Sequence, residues 1–374
     1  MSDPSTSAQS ATLLVLWGGL LIGALLGAAG QASRFCVRGA VADWFLFNSQ
    51  ARWATWLLAI AVAAVGSQWL VATQAFDASR SLPWTPRFAW ASYLVGGLVF
   101  GYGMVLAAGC PQRSLVKTGS GNVRSILTLL MVAVSAQMTL RGVLAAPRTQ
   151  WLDRWVLDLP GPQDAGSVLA PLLGGAPAGV IRWGLVALIV VAAALVAWRQ
   201  RAHMPMNHWV GGVLVGLLVP LAWWLTGHLG YLAEHPETLE PAWLGTQSKR
   251  PEGLSFTAPL AHAMDLLTLW TDRNTTASFG VLVALGVVAG SALSALLRRE
   301  FKWETFQSPR ELMEYLVGGL MMGFGGVTAL GCSIGQGVTG LGMLSLGALL
   351  ATASMVAGAL LALRRQARLA APRV

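Results

Sequence analysis

The chain has 374 residues, 55% of them hydrophobic and only 11% charged, with a mean hydropathy of +0.60. A soluble globular domain carries roughly a quarter charged residues, so this composition excludes one. The net charge of +9 invites a nucleic-acid reading, but the placement of the charges argues for no nucleic acid and for a lipid bilayer instead.

Long uncharged runs follow one another along the chain: Leu13–Gly30, Trp53–Thr73, Phe88–Gly109, Ser125–Leu140, Trp183–Trp198, Trp209–Thr226, Thr275–Leu297 and Tyr315–Leu363. A bilayer core takes about 20 mostly apolar residues per helix. The last run is long enough for two spans, which makes about nine transmembrane helices. Ala165–Ile181 is also uncharged and would change the parity if it spanned. Trp53, Trp69, Trp183, Trp198, Trp209, Trp223 and Trp224 lie near run ends, as an interfacial aromatic belt requires.

Let the C-terminus, with Arg364, Arg365 and Arg368, be cytoplasmic. Segments 31–52, 111–124, 199–208, 298–314 and 364–374 are then cytoplasmic too. They hold 16 of the 25 Lys and Arg but only five of the 16 acids: Asp43, Glu300, Glu304, Glu311 and Glu314. That is +11 inside against −2 outside, the sign of the positive-inside rule. No Lys or Arg precedes the first run, which argues against a cleaved signal peptide and for an outside N-terminus.

Tyr93-Leu94-Val95-Gly96-Gly97-Leu98 recurs as Tyr315-Leu316-Val317-Gly318-Gly319-Leu320, at an offset of 222. Gly101, Gly103, Gly109 and Cys110 match Gly323, Gly325, Gly331 and Cys332 at the same offset. A weaker match joins Gly18-Gly19 and Gly23 to Gly211-Gly212 and Gly216, at offset 193. Matched spans lie five apart, an odd number, so they cross in opposite directions. Two inverted repeats of an all-α polytopic membrane protein are expected, within a single transport domain over 1–374. The repeats are 11–145 and 208–363, the linking helix is 182–199, and 229–274 is an extracytoplasmic insertion. Chance likeness between glycine-rich helices is the competing explanation, since small residues recur wherever spans pack closely. Within the insertion, Leu260, Met264, Leu267 and Trp270 could share one helical face, placing it on the outer surface or over an outer vestibule.

Gly109-Cys110-Pro111-Gln112-Arg113 follows the third span, with Lys117 further on, and Gly331-Cys332-Ser333-Ile334-Gly335-Gln336 follows the eighth. The second lies within an uncharged run, and irregular backbone at membrane depth survives only where it is enclosed or lines a cavity. The pair is expected to form two re-entrant half-helices, whose N-terminal N–H groups suit an anion. Cys36, Cys110 and Cys332 are the three cysteines; an odd count without CxxC or His spacing supports neither a disulfide framework nor a metal site. A lone buried Cys is usually a small hydrophobe, but two at matched positions favour function. No catalytic triad, cofactor motif or phosphate loop is present. Asp43 is expected to pair with Arg34 or Arg38.

Arg34-Phe35-Cys36, Gly109-Cys110-Pro111 and above all Gly331-Cys332-Ser333-Ile334-Gly335-Gln336-Gly337 resemble the YeeE/YedE family of bacterial inner-membrane proteins of sulphur-compound transport. The resemblance implies uptake of a small sulphur-containing anion such as thiosulfate. It also implies a central path along Cys36, Cys110 and Cys332 and a cytosolic sulphur carrier of the TusA type as partner. Gly109, Gly331, Arg113, Lys117 and Gln336 complete the expected path. A membrane-embedded redox or sulphur-transferring enzyme with a reactive cysteine is the alternative.

Overall fold

The computed structural model describes residues 4–235, 238–272 and 275–370. Residues 236–237 and 273–274 of the expected insertion, and the last four residues of the expected cytoplasmic tail, lie outside the described residues. Twelve helices carry the architecture: α1 Pro4–Ser33, α2 Val37–Phe47, α3 Ala51–Ala72, α4 Trp90–Leu106, α5 Pro111–Gly119 and α6 Val123–Leu140, then α7 Ala178–Gln200, α8 Met206–Trp224, α9 Thr257–Thr268, α10 Phe279–Leu297, α11 Pro309–Thr328 and α12 Leu346–Ala370. Among the described residues, strand is confined to two short ribbons, pairing Arg87–Phe88 with Leu157–Asp158 and Tyr231–Leu232 with Ala242–Trp243. Eight helical stretches among the described residues are long and apolar enough to cross a membrane. A ninth, α11, has 20 residues but starts with Arg310, Glu311 and Glu314. It packs between α4 and α6. Ala165–Ile181 does not span: a helix over Ala165–Leu169 ends in a turn, and α7 starts only at Ala178.

Glycine rows set the packing, because apolar helices in a lipid solvent associate through close backbone approach. Gly19 lies against Phe279 and Gly23 against Val283, so α1 and α10 run parallel. Gly212 lies against Thr55 and Gly216 against Ala59, so α8 and α3 run parallel as well. Gly97 meets Ala351 and Gly101 meets Met355 between α4 and α12, while Gly319 meets Thr128 and Gly323 meets Val132 between α11 and α6. At the centre the order reverses. Gly96 faces Gly325 and Gly103 faces Gly318, which makes α4 and α11 antiparallel. The offset of 222 exchanges those two contacts, the pairwise symmetry that inverted repeats require.

Several expectations change. Asp43 pairs with Arg52 at 3.1 Å, not with Arg34 or Arg38, because α2 turns its carboxylate toward the start of α3. Trp223 is no interfacial residue; it is buried and stacked on Phe76, with centroids 5.5 Å apart. In the inserted segment the buried stripe of α9 is Thr257, Leu260, Ala261 and Asp265, whereas Leu267 and Trp270 are 80% and 76% exposed. The segment also enters the protein: Leu254 and Phe256 are wholly buried, and Thr339 Oγ1 donates to the Leu254 carbonyl at 2.9 Å.

Candidate functional site

The two Gly-Cys segments are built alike. At the end of α4, Ala107 N donates to Gly103 O, Ala108 N to Val105 O and Gly109 N to Met104 O. At the end of α11 the same bonds join Ala329 to Gly325, Leu330 to Val327 and Gly331 to Gly326. In each turn one non-glycine residue takes the left-handed region, Ala108 at φ 50 and Leu330 at φ 57. Such a conformation is costly outside glycine, so both turns are held by their surroundings. Gly331 is tightly approached, since a Cβ there would come 3.1 Å from Gln336 Cγ and that side chain would have to shift by a few tenths of an ångström. Gly109 has only ordinary contacts with Arg113, the nearest at 3.5 Å.

The segments then diverge. Cys110 adopts extended backbone and caps α5, a nine-residue helix with Pro111 in its first turn. After Cys332 the chain makes a wide turn over Gly335–Gly340, with Thr339 N donating to Ile334 O. Pro111 pre-sets helical φ at the first position, whereas Gly335, Gly337 and Gly340 weaken a regular helix. The expected pair is therefore one short α-helix and one π-helical turn.

All three cysteines are free, and they sit at helix or turn entrances. Cys36 caps α2 and its Sγ accepts from Gly39 N at 3.4 Å. Cys332 Sγ accepts from Gly335 N, also at 3.4 Å. The Cys110 thiol lies beside that of Cys36 and beside the Ser333 hydroxyl. Three chain junctions thus converge: α1 to α2, α4 to α5, and α11 to the Gly335–Gly340 turn. Cys110 and Cys332 are buried and Cys36 is partly so.

Arg113 reaches back to donate to Gly30 O at 3.1 Å, and its guanidinium lies within electrostatic reach of Cys36 and Cys110. Lys117 Nζ donates to Ala108 O, the carbonyl of the left-handed residue, at 2.8 Å. Arg34, Arg38, Arg113 and Lys117 have no carboxylate partner among the described residues; nearby Arg52 and Arg124 are paired with Asp43, Glu304 and Glu311. Gln336 Nε2 donates to Ala329 O at 2.7 Å. Its other face borders a cavity of about 510 Å³, which also touches Gly331 and is lined by Arg141, Arg148, Arg250 and His262. No group of three or more metal-ligating side chains occurs among the described residues.

Two polar residues at this junction escaped the sequence reading. Ser333 is 2% exposed and its Oγ has no hydrogen bond of good geometry; Gln112 is fully buried with both amide atoms unpartnered. Buried polar groups left unpaired are uncommon and costly. The available signal was the offset of 222, which sets Ser333 against Pro111 and so marks a hydroxyl where the other repeat has an imide.

The family described as "Sulphur transport" matches residues 32–361. A protein of Escherichia coli named thiosulfate transporter TsuA is 27% identical over 345 residues, 87% of each chain. One of the same name from Spirochaeta thermophila is 25% identical over 360 residues, covering 92% of this chain and 97% of its own length. The match spans every junction at which a cysteine sits, and this chain belongs to the sulphur-transport family.

Proposed function

We propose that the protein takes up a small sulphur-containing anion of the thiosulfate class through a central path on which Cys36, Cys110 and Cys332 meet. The observation that supports this reading is the pairing of the Cys36 and Cys110 thiols beside Ser333, the residue after Cys332, with all three cysteines at chain entrances. There, entrance N–H groups already bond two of the thiols, Gly39 N to Cys36 and Gly335 N to Cys332. A thiol is a polarisable neighbour and weak donor for a sulphur anion, and helix entrances favour negative charge. The anion enters by the cavity beside Arg141, Arg148 and Arg250, passes Gly331 and Gln336, crosses the thiols and leaves past Arg113 and Lys117. Gly109 leaves room at the turn. Hydrogen bonds to single thiols and amides hold the ion loosely, as transport requires.

The same reading takes 11–145 and 208–363 as inverted repeats around that path, with 182–199 linking them, 229–274 extracytoplasmic, and α5 and the Gly335–Gly340 turn as re-entrant elements. It places the chain in a bacterial inner membrane with the N-terminus outside and the C-terminus inside. The TusA-type carrier as cytosolic partner follows from the resemblance, and the unpaired cations Arg34 and Arg38 would give it an acidic-to-basic contact. Purified protein in liposomes should accumulate labelled thiosulfate in preference to sulfate, with empty liposomes showing neither. Equal flux of both anions, or flux no greater than in empty liposomes, would overturn the reading.

A further inference from the structure

The helix α7 is the least enclosed of the apolar spans, with only 17% of its most apolar window buried. Ala197 packs near Ala51 and Ala54 of α3, and Val186 packs near Ala64. The next helix, α8, also lies along α3, through Gly212 and Gly216. Two consecutive helices therefore rest on one neighbour and splay apart above it. The wedge between them is a groove of about 700 Å³. Leu58, Val62 and Val65 form its floor, and Ala194 and Leu217 stand on opposite walls. From Leu58 to Val65 the floor runs about 10 Å along the helix axis, roughly half the length of a phospholipid acyl chain.

One end of the groove is different. Trp198, Arg201 and Trp209 close it at the turn between α7 and α8, and the Arg201 guanidinium stacks over the Trp198 ring at 4.2 Å. Neither Arg201 nor its exposed neighbour Arg199 has a carboxylate partner among the described residues. An apolar slot ending in uncompensated cations beside interfacial tryptophans is amphipathic, and its ligand must be amphipathic with the opposite charge. A guanidinium fork matches phosphate oxygens two at a time, and basic pockets between spans attract anionic headgroups. A second copy of this face would bring two pairs of unpaired arginines together, which like-charge repulsion opposes.

We propose that this groove binds one anionic phospholipid, its chains against α3 between α7 and α8 and its phosphate on Arg201 with Arg199 alongside. The lipid fills the gap that α7 leaves and fastens the linking helix to the body. This site is separate from the thiols and stands whether or not they carry an anion.

Native mass spectrometry of the full-length protein tests it. The delipidated protein is given equal amounts of phosphatidylglycerol and phosphatidylcholine with identical chains. The wild type is expected to retain one phosphatidylglycerol with about tenfold preference, each cation near the surface contributing severalfold. The double variant R199A/R201A should bring the two lipids to near parity, and A194W, on an exposed wall position, should expel both. Should the double variant fail to fold, R201Q serves, with a partial loss of preference expected. Equal retention of the two lipids by the wild type, unchanged phosphatidylglycerol binding in folded variants, or a lipid-free dimer as the sole species would each overturn the proposal.

Discussion

Gly103 and Gly318 meet backbone to backbone: a Cβ on either would come 2.7 Å from the other's carbonyl oxygen. Gly96 and Gly325 repeat the relationship, at 2.8 and 2.6 Å. Any side chain must push α4 and α11 apart at the centre of the protein. Gly103→Ala and Gly318→Ala should each lower stability by about 1–3 kcal/mol, the usual cost of overpacking. The double variant should cost less than the sum, since the first separation makes room for the second. Thermal unfolding in detergent reads this directly; additive losses would show that the two glycines act apart.

Asp265 ties the inserted helix α9 to α6. It accepts from the Gln137 amide, pairs with Arg141 at 3.3 Å and is 4% exposed as a residue. Asp265→Ala leaves the Gln137 amide without its acceptor and should cost about 1–3 kcal/mol. The Arg141 side chain is 56% exposed, so Arg141→Ala should cost under about 1 kcal/mol. Limited proteolysis between residues 238 and 272 is the readout: faster cleavage of the Asp265 variant alone is expected. Equal protection of both variants would mean that the buried apolar residues, not the carboxylate, hold the segment.

Burial raises the Glu252 carboxyl above its ordinary value of 4.5, while the Ser248 amide, donating at 2.8 Å, opposes the rise. An acid whose folded value is raised contributes stability that is complete below the ordinary value and lost as pH rises through the elevated one. The 247–254 strap should therefore loosen as pH climbs above 4.5 through that titration. Glu252→Gln should flatten this part of the stability profile. A variant with the wild-type pH profile would remove Glu252 as its source.

Lys117 and Ala108 hold the turn that presents Cys110, through the 2.8 Å bond to the carbonyl of a left-handed residue. Lys117→Met keeps most of the unbranched side chain, one heavy atom shorter, and loses the donor. It should lower uptake severalfold while the protein still inserts, and Ala108→Gly, which relieves about 1 kcal/mol or more of backbone strain, should stabilise the fold. Unimpaired uptake in a folded Lys117→Met variant would separate this bond from transport.

Much of the fold was legible because the bilayer permits few solutions: run lengths gave the spans, and the offset of 222 picked out α4 and α11 and their matched turns. Geometry that depends on tertiary contact was not. The partner of Asp43 depends on how α2 meets α3, and the burial of Trp223 on where Phe76 falls. The inserted segment misled because its apolar spacing ignored Asp265, whose partners lie on α6. At the candidate site the cysteines stood out by rarity and symmetry, whereas Ser333 and Gln112 are common residue types; the offset of 222 marks only Ser333, and Gln112 is marked by burial without partners alone.

The central claim is that the thiols contact the moving anion. Labelled thiosulfate uptake into proteoliposomes by Cys110→Ala, Cys332→Ala and the corresponding Ser variants tests it most directly, with folding checked by monodispersity. If the thiols were only packing, a small truncation would cost on the order of 1 kcal/mol and uptake would persist. The account predicts that Ala and Ser variants at both positions insert and fold normally yet lose nearly all uptake, because Ser keeps the donor but not the soft sulphur. Normal uptake by well-folded Cys110→Ala and Cys332→Ala would contradict it and leave an anion path governed by Arg113 and Lys117 alone.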